Sequence, residues 1–173
     1  MKHIKMYMIA ASLMLTVFAC DDDTASTDIP VEMDKQFMLT AFDTGLFEIN
    51  AGQVASSKGT TSVIKDFGQQ LLDDHTDINQ ELMKLSKEAG VDLPTTLSND
   101  KQQKLDTLSG LSGVAFDTTY IKMMVGTHEE IVNLYQVQAT TGRNAELKTF
   151  ASDKLSKLRT HLETAKSMKD SIQ

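Results

Sequence analysis

The chain contains few of the residues that interrupt helices, such as proline, or that link them covalently, such as cysteine. Its 173 residues include two prolines, one cysteine and no tryptophan. A single cysteine cannot form a disulfide within the chain, and so few prolines allow long uninterrupted helices. Strand-like alternation is scarce, whereas apolar residues recur at intervals of three and four, which indicates amphipathic helices. The sequence therefore predicts an all-α domain.

Positive charge is also scarce. The chain has 17 lysines and arginines against 24 acidic residues, which gives a formal net charge of −7. Because there is no basic patch, nucleic acid is not expected as a partner. No nucleophile elbow, phosphate-binding loop or CxxC motif occurs, so no catalytic residue is predicted. Whether the protein is an enzyme stays open, and these absences weigh against it.

The first twenty residues have the pattern of an export signal. A short basic start precedes an apolar run from Met6 to Phe18, which closes on Ala19 and Cys20. The run is too short for a free-standing membrane span. The pattern resembles a bacterial lipoprotein signal, although Val17 and Phe18 depart from its usual residues. This predicts a signal peptide over residues 1–19 and a lipid-anchored Cys20. An unpaired thiol at Cys20 and a retained membrane anchor over residues 1–20 are the alternatives.

A polar and acidic segment follows Cys20. Three aspartates and a stretch without apolar periodicity predict a flexible tether over residues 20–31. Acidic residues after a lipidated cysteine resemble sorting signals, whose meaning differs between bacteria, and a plain spacer is an equal alternative. We expect the protein in the bacterial cell envelope. The outer membrane or cell surface is favoured, and the periplasm-facing inner membrane stays open.

Residues 32–173 are long enough for one domain with its own core. Four long helices are predicted, over about 34–57, 62–89, 114–140 and from about 144 onward. Asp34 is the expected N-cap of the first, Thr61 or Ser62 that of the second, and Gly90 lies just beyond the second. The connection 91–112, with a short helix over 99–108, can cross the bundle. The second and third long helices would then be parallel, which is the ferritin-like four-helix bundle with two antiparallel hairpins.

Three histidines of the domain lie on the inward stripes of three different predicted helices. These are His75, His128 and His161, and Glu48 lies on the corresponding stripe of the first helix. At a rise of about 1.5 Å per residue, all four fall near the middle of the bundle. Three imidazoles and one carboxylate suit a mononuclear Zn²⁺, Cu²⁺ or non-haem iron site. The four residues are therefore candidate metal ligands.

The same residues have a metal-free interpretation. A histidine on an apolar stripe is usually a hydrogen-bonded core residue, and Glu48 could be the partner of one of the three. The protein would then be a structural or stress-related interaction module of the envelope whose protein partner the sequence does not identify. Four further acidic residues are interpreted as solvated neighbours: Asp74, Glu129, Glu130 and Glu163.

A ferritin-type di-iron centre is disfavoured. Such centres take a Glu-x-x-His motif from each of two helices, so that both side chains share a face. The residues three positions before the histidines are apolar: Leu72, Val125 and Leu158.

Several segments resemble the bacterial domain-of-unknown-function 4142 family. The most specific are Leu72-Asp-Asp-His-Thr76 and Phe116-Asp-x-x-Tyr120, and the resemblance extends over about residues 37–168. It implies an exported protein, often a lipoprotein or outer-membrane protein, with a ferritin-like bundle and no established role. It also implies that the site positions are Glu48, His75, His128 and His161. Gln136 stands where members often have glutamate, and Ser156 where a proline is common.

Overall fold

The computed structural model describes residues 28–171, and this part of the chain contains five α-helices and no strand. The helices are α1 (Asp28–Lys58), α2 (Ser62–Glu88), α3 (Asn99–Ser109), α4 (Gly113–Thr141) and α5 (Ala145–Ser171). The all-α prediction is confirmed, and the predicted bounds match closely except at the start of α1. The predicted signal peptide, Cys20 and most of the predicted tether lie outside the described residues.

Two helix ends form as their sequences predict. The side chain of Thr61 accepts a hydrogen bond from the backbone N–H of Ile64, so it caps α2. Gly90 follows α2 with φ +67°, a left-handed conformation that glycine adopts without a steric penalty. Of the two candidate N-caps, Thr61 is the one used, and the prediction that the helix ends before Gly90 is confirmed.

The prediction that Asp34 is an N-cap is wrong. The helix begins six residues earlier, at Asp28, so residues 28–31 of the predicted tether form its first turn. Pro30 fits there because first-turn N–H groups have no acceptor within the helix. The Asp34 carboxylate instead accepts hydrogen bonds from the backbone N–H groups of Arg143 (3.1 Å) and Asn144 (2.8 Å), just before α5. It joins α1 to the start of a different helix.

The contacts fix the directions of the four long helices. α1 packs on α2 and α4 packs on α5, each as an antiparallel pair. Asp34 binds Gln138 near one end of α4, and Thr60 binds Asp117 near the other, so α1 and α4 are antiparallel. α2 and α4 therefore run in the same direction. The connection that contains α3 returns the chain from one end of the bundle to the other.

The buried apolar side chains form two clusters, one on each side of the bundle's middle. One includes Phe47, Phe67 and Tyr120, and the other includes Phe37 and Tyr135. In α2, Leu71 belongs to the first cluster and Ile78 to the second, so His75 lies between the two clusters. In α4, Met124 and Ile131 place His128 between the same two clusters. A polar layer thus lies between the two apolar halves of the core.

Candidate metal centre

Four polar side chains from four helices meet in this layer. Glu48, His75 and His128 are 0% exposed and His161 is 1% exposed. The nitrogen atoms that the three imidazoles can offer lie within 4.8 Å of one another, and the ring centroids are separated by 5.6, 5.6 and 5.4 Å. The structure therefore brings together all four of the residues selected from the sequence.

The Glu48 carboxylate lies between two of the rings. Its Oε2 is 2.7 Å from Nε2 of His75, and its Oε1 is 3.1 Å from Nδ1 of His128. Both are ion-pair distances, and the contact with His75 acts on the Glu48 carboxyl as a hydrogen bond does, by lowering its pKa. The other nitrogen of His75, Nδ1, is buried and has no hydrogen-bond partner among the described residues.

His128 is oriented by its own helix. Its Nδ1 is 2.9 Å from the backbone oxygen of Met124, one turn earlier, and a carbonyl oxygen can only accept. Nδ1 therefore carries the proton, and Nε2 is left as the unprotonated nitrogen of the neutral ring. Nε2 is buried and has no hydrogen-bond partner in the described part of the chain. The tautomer thus leaves one ligand atom free.

His161 is oriented from outside the centre by Asp74. Its Nε2 donates to Oδ2 of Asp74 at 2.8 Å, and the same carboxylate pairs with Lys157. This leaves Nδ1 of His161 buried and without a partner among residues 28–171. A carboxylate behind the imidazole fixes the tautomer and ring orientation of many metal-ligating histidines. The interpretation of Asp74 as a solvated neighbour is wrong, because its side chain is only 19% exposed and holds a ligand candidate in place.

The other three acidic neighbours lie on the surface, as predicted. Glu129 lies 3.5 Å from Lys166 and Glu130 lies 4.0 Å from Lys101, and Glu163 is exposed. Gln136 accepts a hydrogen bond from Arg159 at the surface. The replacement of a family glutamate by Gln136 therefore removes no group from the buried centre.

Burial and mutual proximity set the charges of the centre. Burial would raise the pKa of the Glu48 carboxyl, but the neighbouring His128 and His75 outweigh it and lower this pKa to about 2. Burial lowers the pKa of His128, and burial together with the other two imidazoles lowers the pKa of His161 to about 4. The ionised carboxylate therefore needs one positive charge beside it, and His128 and His161, whose pKa values are lowered, are poor sources of that charge. A proton shared among the rings or a metal cation can supply it.

The donor set fits one small transition-metal ion. Zinc–imidazole bonds are about 2.0–2.1 Å long, so two nitrogens on one tetrahedral ion are about 3.4 Å apart. The ligand atoms lie within 4.8 Å of one another, so the rings must close on the ion by up to about 1.4 Å through side-chain rotation. In the described residues the other buried acids, Asp34 and Asp117, bind partners near the ends of the bundle. Glu48 is thus the one fully buried carboxylate at this level among the described residues, and Asp74 lies on the outer side of His161, so there are too few carboxylate ligands for a di-iron centre.

Comparison with known proteins places the chain in a family. Residues 21–168 match the sequence profile of a domain of unknown function, DUF4142. The chain belongs to the DUF4142 family. This confirms the resemblance seen in the Leu72–Thr76 and Phe116–Tyr120 segments. No curated protein matches the chain.

A solved structure shares the fold of this DUF4142 domain. It is a DUF305 fragment from Deinococcus radiodurans, which superposes with a TM-score of 0.70 over 80% of this chain and 95% of that chain. The two sequences are 10% identical, so the similarity shows a common helical fold alone.

Proposed function

We propose that this DUF4142 protein binds one transition-metal ion in the core of its helical bundle. The ligands are His75, His128 and His161, with Glu48 as a carboxylate ligand or as the neighbouring countercharge. The biochemical role is then that of a metal-binding module, with no assigned reaction.

Unpartnered buried polar atoms carry this proposal. One nitrogen of each ring lacks a hydrogen-bond partner among the described residues: Nδ1 of His75, Nε2 of His128 and Nδ1 of His161. The Glu48 carboxylate is met only by imidazole nitrogens. Each such group costs roughly 1–3 kcal/mol relative to a satisfied one. A domain with a net stability of about 5–15 kcal/mol tolerates several of these only if something compensates. A divalent cation would satisfy one nitrogen of each ring and neutralise the carboxylate.

The donor types narrow the choice of metal. Imidazole nitrogen suits Zn²⁺, Cu²⁺ and iron. None of the four donors is a thiolate, so the site has no particular affinity for soft ions such as Cu⁺. Three imidazoles and one carboxylate complete a tetrahedral shell for Zn²⁺, and Cu²⁺ binds nitrogen sites more tightly at equal availability. We infer a mononuclear site for one of these ions and disfavour a ferritin-type di-iron centre.

A metal-free polar core is the competing function class. Glu48 contacts His75, and His128 and His161 each form a hydrogen bond outside the centre. In this interpretation the four residues form a buried polar network that favours one packing arrangement of the helices. The protein would then be an envelope interaction module. This alternative predicts that purified protein binds no metal stoichiometrically.

The ferritin-like arrangement and the envelope location belong to the same proposal. Two antiparallel hairpins, parallel α2 and α4, and a long crossover between them support ferritin-like connectivity. No helix between residues 28 and 171 is long and apolar enough to cross a membrane. We infer attachment through a lipid on Cys20, with the bundle facing the periplasm or the cell surface.

Equilibrium metal loading tests the proposed function. Full-length protein in detergent is dialysed against Zn²⁺, Cu²⁺ or Fe²⁺ and analysed for metal, with the expectation of one ion per chain. His128→Gln should abolish the loading. Tyr135→Phe is a matched control, because Tyr135 lies on the same buried stripe of α4, its ring packs against Phe37 and Phe150, and it is not among the three residues whose nitrogens could hold a metal. If wild-type protein holds less than about 0.1 ion per chain at a micromolar excess of metal, the proposal is contradicted and the metal-free alternative stands.

A further inference from the structure

The candidate centre is closed on most sides. Apolar side chains of the two core clusters cover it along the bundle axis, and three of its four residues are 0% exposed. A hydrated cation cannot cross these clusters without a large desolvation penalty. Metal must therefore reach the centre between two helices.

His161 connects the centre to the surface. Its ring forms part of the wall of a cleft of about 760 Å³ between α2 and α5. The remaining wall is polar and includes Gln70, Asp73, Asp74, Asp153 and Lys157. Three carboxylates give this cleft an acidic mouth, and the His161 ring, whose Nε2 binds Asp74, forms part of its inner wall. The other nitrogen of this ring, Nδ1, is buried and has no hydrogen-bond partner among the described residues.

The two helices that flank the cleft, α2 and α5, pack loosely against each other. α1 with α2 and α4 with α5 approach closely along their lengths, and α1 with α4 less so, whereas α2 and α5 are the most loosely packed of these four pairs. At the level of the centre, α2 and α5 are joined by the Asp74 carboxylate, which binds His161 on its inner side and Lys157 on its outer side. A small separation of α2 from α5, or a rotation of His161, would open the cleft into the centre.

We propose that the cleft between α2 and α5 is the route by which the metal ion reaches the buried centre, with the Asp74 carboxylate as its gate. In the metal-free protein the Lys157 ammonium forms an ion pair with this carboxylate, and an incoming divalent cation displaces the ammonium. His161 then delivers the ion to the inner imidazoles by turning its ring about the side-chain bonds. This route rests on the proposed function, because it presupposes a metal in the centre.

Filling the cleft tests the route. Gln70→Trp places a bulky side chain in the cleft wall, and Gln69→Trp makes the same change at the adjacent exposed position, outside the residues that line the cleft. Stopped-flow absorbance with Co²⁺ alone, using full-length protein, gives the association rate, and competition with a chelator gives the dissociation rate. Gln70→Trp should slow both severalfold by the same factor and leave Kd unchanged, since an obstruction alters a barrier and not the end states.

Removing the ammonium tests the gate. Lys157→Met should speed both rates, because the carboxylate becomes free to accept a cation and to release one. Lys154→Met is the matched control: it removes the same charge from α5 one turn before Lys157, and Lys154 pairs with Glu81 of α2 and not with Asp74. Any general electrostatic attraction of cations changes equally in both variants.

The outcomes separate the route from the proposed function. Wild-type protein that binds no Co²⁺ at equilibrium overturns both. Stoichiometric binding with identical rates in wild type, Gln70→Trp and Gln69→Trp overturns the route and leaves the site intact. A change in Kd for Gln70→Trp without matched changes in the two rates also contradicts the route, because it would mean that the substitution altered the centre itself.

Discussion

At the scale of single residues, His128 and His161 each have one nitrogen fixed by a hydrogen bond, which leaves the other nitrogen free. For His128 the acceptor is the Met124 carbonyl in its own helix, and for His161 it is Asp74 from a neighbouring helix. Such fixed tautomers lower the reorganisation that metal binding requires. Asp74 is therefore a positioning residue.

The substitution Asp74→Asn should weaken metal binding by about 10- to 100-fold, because the amide cannot hold the His161 ring as a carboxylate does. The measurement is the equilibrium Kd for Zn²⁺ by competition with a chromogenic chelator. Glu81→Gln, at another pair between α2 and α5, serves as the control and should leave Kd unchanged. Equal Kd values for wild type and Asp74→Asn would show that Asp74 does not position a ligand.

The stability of the metal-free protein should fall between about pH 6.5 and pH 4. The pKa of His161 is lowered from 6.5 to about 4 in the folded state, so the unfolded chain binds more protons within this window. Stability contributed by the neutral ring is therefore present above pH 6.5 and lost as the pH falls towards 4.

Urea unfolding at several pH values measures this effect. His161→Gln should have a shallower pH dependence, because one of the titrating rings is gone; His128, whose pKa is also lowered, retains its part. An unfolding free energy that rises on acidification from pH 6.5 to pH 4 would contradict the charge assignment.

The four members of the centre could be selected from the sequence, but Asp74 could not. Helical rise per residue is constant, so the heights of Glu48 and the histidines follow from helix bounds that are only approximately known. Whether Asp74 faces solvent or α5 depends on how two helices rotate and pack, which periodicity within α2 does not encode. The one signal is its position directly before His75.

At the scale of helices, a pair of glycines brings α1 and α2 together two turns from the centre. A Cβ atom on Gly68 would lie 2.8 Å from the backbone oxygen of Gly52 and 2.8 Å from the Cβ of Ala55. A Cβ on Gly52 would lie 2.5 Å from the backbone oxygen of Gly68. Because the obstacles are mostly backbone atoms, any larger residue would push the two helices apart.

Gly68→Ala should therefore destabilise the protein, although alanine is the better helix former. Overpacking costs about 1–3 kcal/mol, and the gain in helix propensity is about 1 kcal/mol. Gly126→Ala is the matched control, because no atom beyond its own stretch of helix lies within 4 Å of the point that a Cβ would occupy, so the propensity gain is unopposed. Urea unfolding should show Gly68→Ala less stable than Gly126→Ala by about 2 kcal/mol. Equal stabilities would mean that α1 and α2 are not in close contact there.

The helix ends show what local sequence can and cannot predict. Thr61 and Gly90 act within their own turns, so their roles follow from the residues beside them. Asp34 has the composition of an N-cap, but its carboxylate stabilises the start of α5, more than a hundred residues later in the chain. Such a contact depends on the tertiary arrangement and has no local signature.

At the scale of the whole molecule, the proposed anchor separates membrane attachment from the fold. Cys20→Ser should release the protein from membranes into the soluble fraction if the export signal is cleaved, because no lipid can then be attached. The measurement is immunoblotting of fractionated cells together with the mass of the mature protein. A cleaved Cys20→Ser product that stays with the membrane would contradict lipid anchoring.

The central claim, one metal ion held by three imidazoles, is tested most directly by crystallography of zinc-loaded protein. Anomalous difference maps recorded on either side of the zinc absorption edge locate the ion independently of the protein density. We predict a single strong peak within about 2.0–2.2 Å of one nitrogen each of His75, His128 and His161. Zinc that occupies only surface positions, with no peak between the three rings, would contradict the claim.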